Sequence, residues 1–368
     1  REFTLDIAGE GNFSSQARSF VEKHGMAHMI RFRGWLQGHA FEEVLAASDV
    51  LVLPSWAEGL PNAMIEAMAA RLAVIVTSVG GVPDVVTDGR DALVVPPRNA
   101  AALRAALARV IDDPDLRQSL ADAAFHLAQE RFAVEPAVDR IVRAACDADS
   151  ALSNRYIVIG PLPPAIGGIA TIVGSLKKGF EQDSNVAILD TSKPIEGLGR
   201  YLRPVRSVMQ VVAAASRIRK GAVLMFSSAH ASFWEKCLWC VIFRLFGWRT
   251  VVQMVDGNFP RFHKEMSLPV RWLASVLVRN VDVLAAQSPL WKTFYEQAFP
   301  RTTVRIVSPG VDTDFFLPPH DRTPSECVEI CYIGWLIEAK GIYDLLEAAH
   351  ILKRKGSKFK LKLIGPAF

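Results

Sequence analysis

Cysteine is scarce in this sequence, with five residues among 368 and no regular spacing. This content argues against a disulfide scaffold and favours a reducing compartment, so we expect a cytoplasmic protein. Long apolar runs are missing too: no stretch of about 18 uninterrupted apolar residues occurs, so no single segment is expected to span a membrane. Charged residues (22%), 24 glycines and 21 prolines do not fit a disordered or low-complexity chain. The 50% of hydrophobic residues suffice for two or three domains.

A metal-binding framework is also missing from the sequence. Cys237 and Cys240 form a C-x2-C pair, but they lie in an apolar segment without a second pair of ligands nearby. A structural zinc site needs a full tetrahedral set of ligands, whereas free cysteines commonly pack in cores. We therefore interpret the pair as core residues and predict no metal site.

Acidic and basic residues are unevenly distributed along the chain. Residues 1–150 carry 14 Lys and Arg against 21 Asp and Glu, whereas residues 151–368 carry 28 against 17. The basic half interleaves aromatic and basic residues in one segment: Trp234, Trp239, Phe243, Phe246, Trp248 and Arg249. Such a surface can bind phosphates, nucleic acid or an anionic membrane. A solvated basic face over buried aromatic residues explains the pattern equally well, so charge alone leaves the partner open.

Short β-branched runs alternate with helical patterns, which is typical of parallel α/β sheets with buried strands. In the first half we predict strands at 3–8, 30–33, 50–54, 73–77 and 92–95, and helices at 99–110 and 115–131. Asn99 and Asp112 or Asp113 are placed to cap those helices. Residues 146–154 lose all periodicity and predict a linker.

The second half repeats this alternation and contains a further boundary. We predict strands at 156–159, 186–189, 222–226, 250–254, 283–286 and 304–307, with a helix from about Thr171. The Pro-rich segment 312–326 marks the boundary. A third segment follows, with a strand at 329–333, a helix at 341–354 and a strand at 359–364. The opening FTLDIAG and the closing FKLKLIG look like two copies of one strand.

The densest chemical signal is VLPSWAEGLPNAMIEAMAAR at residues 52–71, where a strand, a loop from Ser55 to Asn62 and a helix beginning near Ala63 follow one another. The backbone N–H groups at such a helix start lie at the positive end of the helix dipole and bind a diphosphate well. Glu58 in the loop and Glu66 in the helix can then address groups on either side of the phosphates. Two isolated glutamates at this spacing are more commonly a helix cap, here Glu58, and a solvated, exposed helix residue, here Glu66.

The two glutamates are accompanied by further motifs. The stretch resembles the E-x7-E segment of family 4 retaining glycosyltransferases, which have the GT-B fold. Other blocks resembling the same family are AASDVLVLPS (46–55), TSVGGVPDVVTDGRDALVVPP (77–97), GPLPPAIGG (160–168), SPGVDTDFF (308–316) and YIGWLIEAKGIYDLLEAAHIL (332–352). The resemblance implies an α/β protein with two Rossmann-like domains facing across a cleft. It also implies a donor domain at 1–150, an acceptor domain at 155–325 and the start of a donor domain at 328–368.

The family transfers a hexose from a nucleoside diphosphate sugar with retention of configuration, without metal or cofactor. The resemblance therefore implies a nucleotide sugar and a glycan or lipid-linked acceptor as partners, and no nucleic acid. The basic second half suits an acceptor presented at an anionic membrane surface, which places the protein in the cytoplasm at the inner face of a membrane. A GT-B epimerase or phosphorylase, or an inactive scaffold, remains the alternative.

The resemblance also assigns roles to single residues. Lys340 falls on the diphosphate-binding lysine, and Glu58 and Asp256 are the other candidate catalytic groups. Trp335 stands where the family usually has Arg, and Asp256 where relatives often have His followed by Gly. The donor-binding candidates are Gly59, Leu60, Pro61, Asn62, Glu66, Gly167 and Gly168. For Gly167 and Gly168, a plain tight turn explains the glycines equally well.

The blocks stand in an unusual order, because the family places its acceptor domain before its donor domain. A circular permutation or a cut from two tandem modules explains this order, and the repeated strand favours tandem modules. Residues 1–150 lack the central first strand of a donor sheet. We therefore predict that 328–355 docks into 1–150 with the strand 329–333 beside 50–54, so that Lys340 faces Glu58 and Glu66. One copy of the repeated strand is then expected at a sheet edge or disordered.

Overall fold

The computed structural model describes residues 6–8, 13–27, 30–32, 36, 38–145, 156–163, 165, 167–180, 185–192, 213, 221–316, 328–354 and 359–364. The predicted linker 146–154 and residues 317–326 of the Pro-rich boundary lie outside the described residues. The chain divides into two compact units. The first consists of residues 1–133 and 311–368, and the second of residues 134–310.

Strands and helices alternate in both units. The strands are β1 (Asp6–Ala8), β2 (Arg31–Phe32), β3 (Val50–Leu53), β4 (Ala73–Thr77), β5 (Leu93–Val95), β6 (Tyr156–Gly160), β7 (Val186–Asp190), β8 (Ala222–Ser227), β9 (Arg249–Met254), β10 (Val283–Ala286), β11 (Thr303–Ile306), β12 (Val328–Ile333) and β13 (Phe359–Ile364). The helices are α1 (Ser14–Lys23), α2 (His39–Ala46), α3 (Asn62–Ala69), α4 (Ala100–Asp112), α5 (Pro114–Phe132), α6 (Val134–Ala145), α7 (Gly168–Gly179), α8 (Ala231–Leu245), α9 (Phe259–Glu265), α10 (Leu268–Val278), α11 (Pro289–Ala298) and α12 (Ile342–Arg354).

The sheet of the first unit contains, among the described residues, seven parallel strands in the order β2-β1-β13-β12-β3-β4-β5. The strand β12 pairs with β3, with Ile330 opposite Val50 and Cys331 opposite Leu51. From β12 the chain continues to β13 on one side, whereas β3, β4 and β5 follow on the other. The strand order therefore reverses between β12 and β3, which is where open α/β sheets bind ligands.

Both copies of the repeated strand lie inside this sheet. The strand β13 occupies the place beside β12, and β1 pairs with the other side of β13, with Ile7 opposite Leu363. The strand β2 pairs in turn with β1 and forms the edge. The expectation that one copy would lie at an edge or be disordered is therefore wrong. The reason is that the second side of β13 offers an unpaired row of N–H and C=O groups on which a further parallel strand adds.

Helices cover both faces of the first sheet. All four residues of β3 are buried. Val50 and Val52 belong to the core beneath α4 and α12, whereas Leu51 and Leu53 belong to the core beneath α3 and α5. Asn99 accepts a hydrogen bond from Ala102 N at 2.9 Å, and Asp113 one from Leu116 N at 2.9 Å. These caps confirm the predicted starts of α4 and α5.

The boundary between the units differs from the predicted one. The helix α6, which the sequence assigned to 1–150, belongs to the second unit, and the described residues 311–316 belong to the first unit rather than to 155–325. The apolar face of α6 causes this assignment, because Ile141 is buried in the core of the second unit. At Gly179 of α7, a Cβ atom would lie 2.5 Å from Val134 Cγ1, so the two helices pack closely.

The sheet of the second unit has the order β11-β10-β9-β8-β6-β7, and each neighbouring pair is parallel. Its strand order reverses between β6 and β8. Cys237 and Cys240 are free and buried in α8, in agreement with their interpretation as core residues. In the part of the chain that the structure describes, no group of His, Cys, Asp and Glu side chains is arranged to hold a metal ion. None of the described helices is long and apolar enough to cross a membrane.

Candidate functional site

Three loops meet at the carboxyl end of the first sheet, at its switch point. They follow β12, β3 and β4, which are neighbours in the sheet although β12 lies more than 270 residues beyond β3 in the chain. Carboxyl ends of parallel strands share one edge, so the side chains on these loops lie near one another. The site is therefore built from residues that only the sheet topology brings together.

The loop after β3 is held by the loop after β4. Thr77 Oγ1 donates a hydrogen bond to Ser55 O at 2.5 Å, and Gly81 N donates one to Gly59 O at 2.7 Å. Gly80 has a φ of +54°, and a Cβ atom there would lie 1.9 Å from Glu58 O. Only glycine has both the backbone freedom and the space that this contact requires. The backbone that carries Glu58 is thus fixed from one side.

The loop after β12 fixes the same backbone from the other side. Trp56 N donates a hydrogen bond to Ala339 O at 2.8 Å. Gly341 has a φ of +67°, and a Cβ atom there would lie 1.9 Å from Pro54 O. This close approach places Lys340, the residue before Gly341, beside the loop that carries Glu58.

Lys340 and Glu58 form an ion pair. Lys340 Nζ lies 2.5 Å from Glu58 Oε1, and both side chains are largely shielded from solvent. Charges that are partly removed from water interact more strongly than exposed ones. The structure therefore brings together Lys340 and Glu58 from opposite ends of the chain, while their roles in catalysis stay predictions.

Glu66 is buried in the second turn of α3, with 5% of its surface exposed. Burial raises the pKa of its carboxyl group to about 7, because desolvation disfavours the charged form. The alternative of a solvated, exposed Glu66 is therefore excluded. The reason is that α3 packs between the sheet and α5, which leaves no solvent-facing side at this turn. The structure gives no hydrogen bond or ion pair between Glu66 and Lys340 among the described residues.

The helix α3 begins at Asn62, one residue before the predicted Ala63. Gly59, Leu60 and Pro61 form the buried turn that leads into it. N–H groups in the first turn of a helix have no acceptor within the helix, and the dipole is positive there. The predicted donor-binding residues of this loop therefore surround a helix start that can receive an anion.

A second cluster at this edge escaped the sequence analysis. Trp56 Nε1 donates a hydrogen bond to Asp344 Oδ2 at 2.8 Å, and the Arg98 guanidinium lies 4.4 Å from the centre of the Trp56 ring. Tyr332 donates its hydroxyl to Trp335 O at 3.0 Å. Burial and the Glu58 carboxylate raise the pKa of Tyr332. The sequence feature that could have indicated this cluster is Trp56, an aromatic residue in the loop after a buried strand.

The remaining candidates lie in the second unit. Gly167 has a φ of +129° before α7, and a Cβ atom would meet nothing within 4 Å there. Gly168 begins α7, three residues before the predicted Thr171. Asp256 Oδ2 accepts a hydrogen bond from Ala229 N at 2.9 Å, and Oδ1 accepts one from Asn258 N at 2.8 Å. Asp256 thus ties together the loops after β8 and β9, and its catalytic role stays a prediction.

Residues 1–126 match the family model described as "Glycosyl transferases group 1". Similar proteins include an alpha-D-kanosaminyltransferase of Streptomyces kanamyceticus, 26% identical over 141 residues, which are 38% of this chain and 36% of the relative. A glycogen synthase of Mycobacterium tuberculosis is 35% identical over 121 residues (33% and 29%). A putative colanic acid biosynthesis glycosyltransferase, WcaL, of Salmonella typhimurium is 32% identical over 136 residues (35% and 34%). The chain spans about a third of the length of these relatives.

One solved structure, the C-terminal domain of a glycosyl transferase group 1 family protein (LpcC) from Francisella tularensis, matches 33% of this chain and 62% of that chain. The identity is 27% and the TM-score is 0.30. The two Rossmann-like α/β units follow from the strand order itself. The residues matched by the family model include Glu58 and Glu66, whereas Lys340 and Asp256 lie outside them.

Proposed function

We propose that this chain transfers a hexose from a nucleoside diphosphate sugar to a glycan or lipid-linked acceptor, with retention of configuration. The observation that carries the proposal is the ion pair of Lys340 with Glu58 at the switch point of the first unit. It joins a segment similar to glycosyl transferases group 1 to a cation from a distant part of the chain. The proposed reaction takes place in the cytoplasm and uses no metal or cofactor.

The proposed donor places its diphosphate at the start of α3, next to Lys340. Helix N–H groups and a lysine ammonium both attract phosphate oxygens. When the bond between the anomeric carbon and the diphosphate oxygen breaks, negative charge develops on the leaving nucleoside diphosphate, and these groups stabilise it. The acceptor hydroxyl forms the new bond to the anomeric carbon, and its proton passes to an oxygen of the leaving diphosphate.

The two glutamates have separate roles in this proposal. In the absence of donor, Glu58 neutralises Lys340. The diphosphate replaces Glu58 as the partner of Lys340, and the released carboxylate accepts hydrogen bonds from hydroxyls of the hexose. Glu66 accepts hydrogen bonds from the ribose hydroxyls, which stabilise its charged form and offset its desolvation.

Titration of the full chain with UDP, GDP and ADP by calorimetry tests the donor site. Lys340→Met removes the charge and retains most of the side-chain length, so we expect at least a tenfold weaker affinity, about 1.4 kcal/mol, for the nucleotide that binds. The matched control is Lys353→Met, because Lys353 lies on the same unit and donates only to Gly25 O, at 2.9 Å, among its described contacts. Failure of the unaltered chain to bind any of the three, or equal binding by Lys340→Met, contradicts the proposal.

Product analysis with radiolabelled nucleotide sugars separates transfer from other uses of the same site. A labelled glycan or lipid with the anomeric configuration of the donor supports the proposal. A stereoisomer of the donor sugar indicates an epimerase, and a sugar phosphate indicates a phosphorylase. Binding without turnover indicates an inactive scaffold.

A further inference from the structure

Two helices of the second unit expose large apolar side chains. On α8, Leu245 is 80% exposed and Leu238 is exposed as well. On α10, Leu268 is 78% exposed and Trp272 67%. Single exposed apolar residues are common on protein surfaces, whereas neighbouring large ones mark a surface that contacts something else.

The spacing of these residues places them in rows. Leu268 and Trp272 are four residues apart and are exposed on the outer side of α10, whereas Ala274 and Val278 are buried on the inner side. A helix that is apolar on all sides is normally covered on all sides. On α8, Leu238 and Leu245 are seven residues apart and therefore also lie on one side.

The two rows lie on neighbouring helices. The helices pack against each other, and Arg244 Nη1 of α8 donates a hydrogen bond to Arg279 O, directly after α10, at 3.2 Å. We define the α8–α10 face as Leu238, Leu245, Leu268, Trp272 and Leu273. Among the aromatic residues of the basic segment, Trp239, Phe243 and Trp248 are buried in the core and do not contribute to this face.

Basic residues surround the α8–α10 face. Residues 231–279 contain seven Lys and Arg and three Asp and Glu. Lys264 is exposed in the last turn of α9, Arg279 is exposed directly after α10, and Arg244 is exposed near the end of α8. Apolar and Trp side chains bordered by cations match the layered chemistry of a bilayer with anionic headgroups. A protein partner would need complementary carboxylates, whereas an anionic lipid surface supplies negative charge everywhere.

We propose that the α8–α10 face binds the surface of an anionic membrane, with Leu245, Leu268 and Trp272 entering the headgroup region and Lys264 and Arg279 contacting lipid phosphates. The proposed contact is peripheral, and the α8–α10 face lies parallel to the membrane plane. The proposal does not depend on the nucleotide site of the first unit, and its test needs no nucleotide.

Sedimentation of the full chain with vesicles tests this proposal. We expect binding to mixed phosphatidylglycerol and phosphatidylcholine vesicles, much weaker binding to pure phosphatidylcholine, and loss of binding at high salt. Leu268→Ser with Trp272→Ser should lower the partition coefficient at least about tenfold, because two apolar side chains that would enter the bilayer are lost. The control is Leu290→Ser with Ile306→Ser, which removes two exposed apolar side chains of the same unit outside the face.

Tryptophan emission gives a second readout that does not depend on sedimentation. Trp272 is exposed to water in the free protein, so its emission should shift to shorter wavelength on addition of anionic vesicles. The shift should disappear in Trp272→Phe, while sedimentation remains.

The proposal is overturned if the Leu268 and Trp272 double variant binds vesicles as well as its control. It is also overturned if the unaltered chain does not bind anionic vesicles, and dimers that the double variant does not form would then indicate a second copy of the chain as the partner of this face.

Discussion

Burial of the Glu66 carboxyl group lowers the free energy of unfolding by an amount that depends on pH. Burial raises its pKa from 4.5 to about 7, so the unfolded chain releases this proton at lower pH than the folded chain does. The free energy of unfolding should therefore fall as pH rises from about 4.5 to 7, by on the order of 3 kcal/mol. This loss of stability is absent below about pH 4.5 and constant above about pH 7.

Glu66→Gln should remove that loss of stability. At pH 8 we expect the variant to be more stable than the unaltered chain by up to about 3 kcal/mol, and near pH 5 the two should converge. Urea unfolding at both pH values measures the difference. Glu130→Gln is the control, because Glu130 is exposed on α5. A difference independent of pH would show that the Glu66 carboxyl is not desolvated in the folded chain.

Gly80 allows a sharper test of the loop geometry. Gly80→Ala places a Cβ atom on Glu58 O, whereas Gly89→Ala, at a φ of +76°, places one in open space. Both substitutions place a side chain on a left-handed backbone, which costs about 1 kcal/mol of stability. Only Gly80→Ala also displaces the loop that carries Glu58. We expect a larger loss of stability and weaker nucleotide binding for Gly80→Ala. Equal losses in thermal unfolding would contradict the close packing of the two loops.

The pairing of β12 with β3 decides how the first sheet is completed. Asp49 joins the two strands twice, because its N–H donates to Glu329 O and its Oδ2 accepts from Glu329 N, both at 2.7 Å. Asp49→Ala should therefore cost about 1–2 kcal/mol and speed amide hydrogen exchange in β12. Asp122→Ala, which removes an exposed ion pair with Arg71, is the control. Unchanged exchange in β12 would indicate that Asp49 does not hold the strand.

Most strands and helices were predictable because their signals are local. Apolar runs gave β3, β4 and β10, the alternation of apolar residues and lysines gave β13, and Asn99 and an Asp near 113 marked the starts of α4 and α5. Burial of a single helix residue was not predictable, since it depends on what packs against every side of the helix. Glu66 shows this, because α5 and the sheet together enclose α3.

The whole chain is organised as a discontinuous unit interrupted by a continuous one. Residues 1–133 and 311–368 share one sheet, and 134–310 form the other unit. The contact between β12 and β3 was predictable, because residues 1–150 contain the later strands of a doubly wound sheet without its central strand. The position of β1 was not, because a strand count does not say on which side a second copy adds.

The sequence by itself determined the alternation of strands and helices, the loop and helix that carry Glu58 and Glu66, and the similarity to glycosyltransferases, because each of these depends on neighbouring residues. Only the tertiary structure decided which of the two predicted glutamates Lys340 pairs with, that Glu66 is buried, and that Leu268 and Trp272 face outward while Trp239 and Trp248 face inward. The physical reason is that ion pairing and desolvation depend on distances between segments, and sheet topology sets those distances.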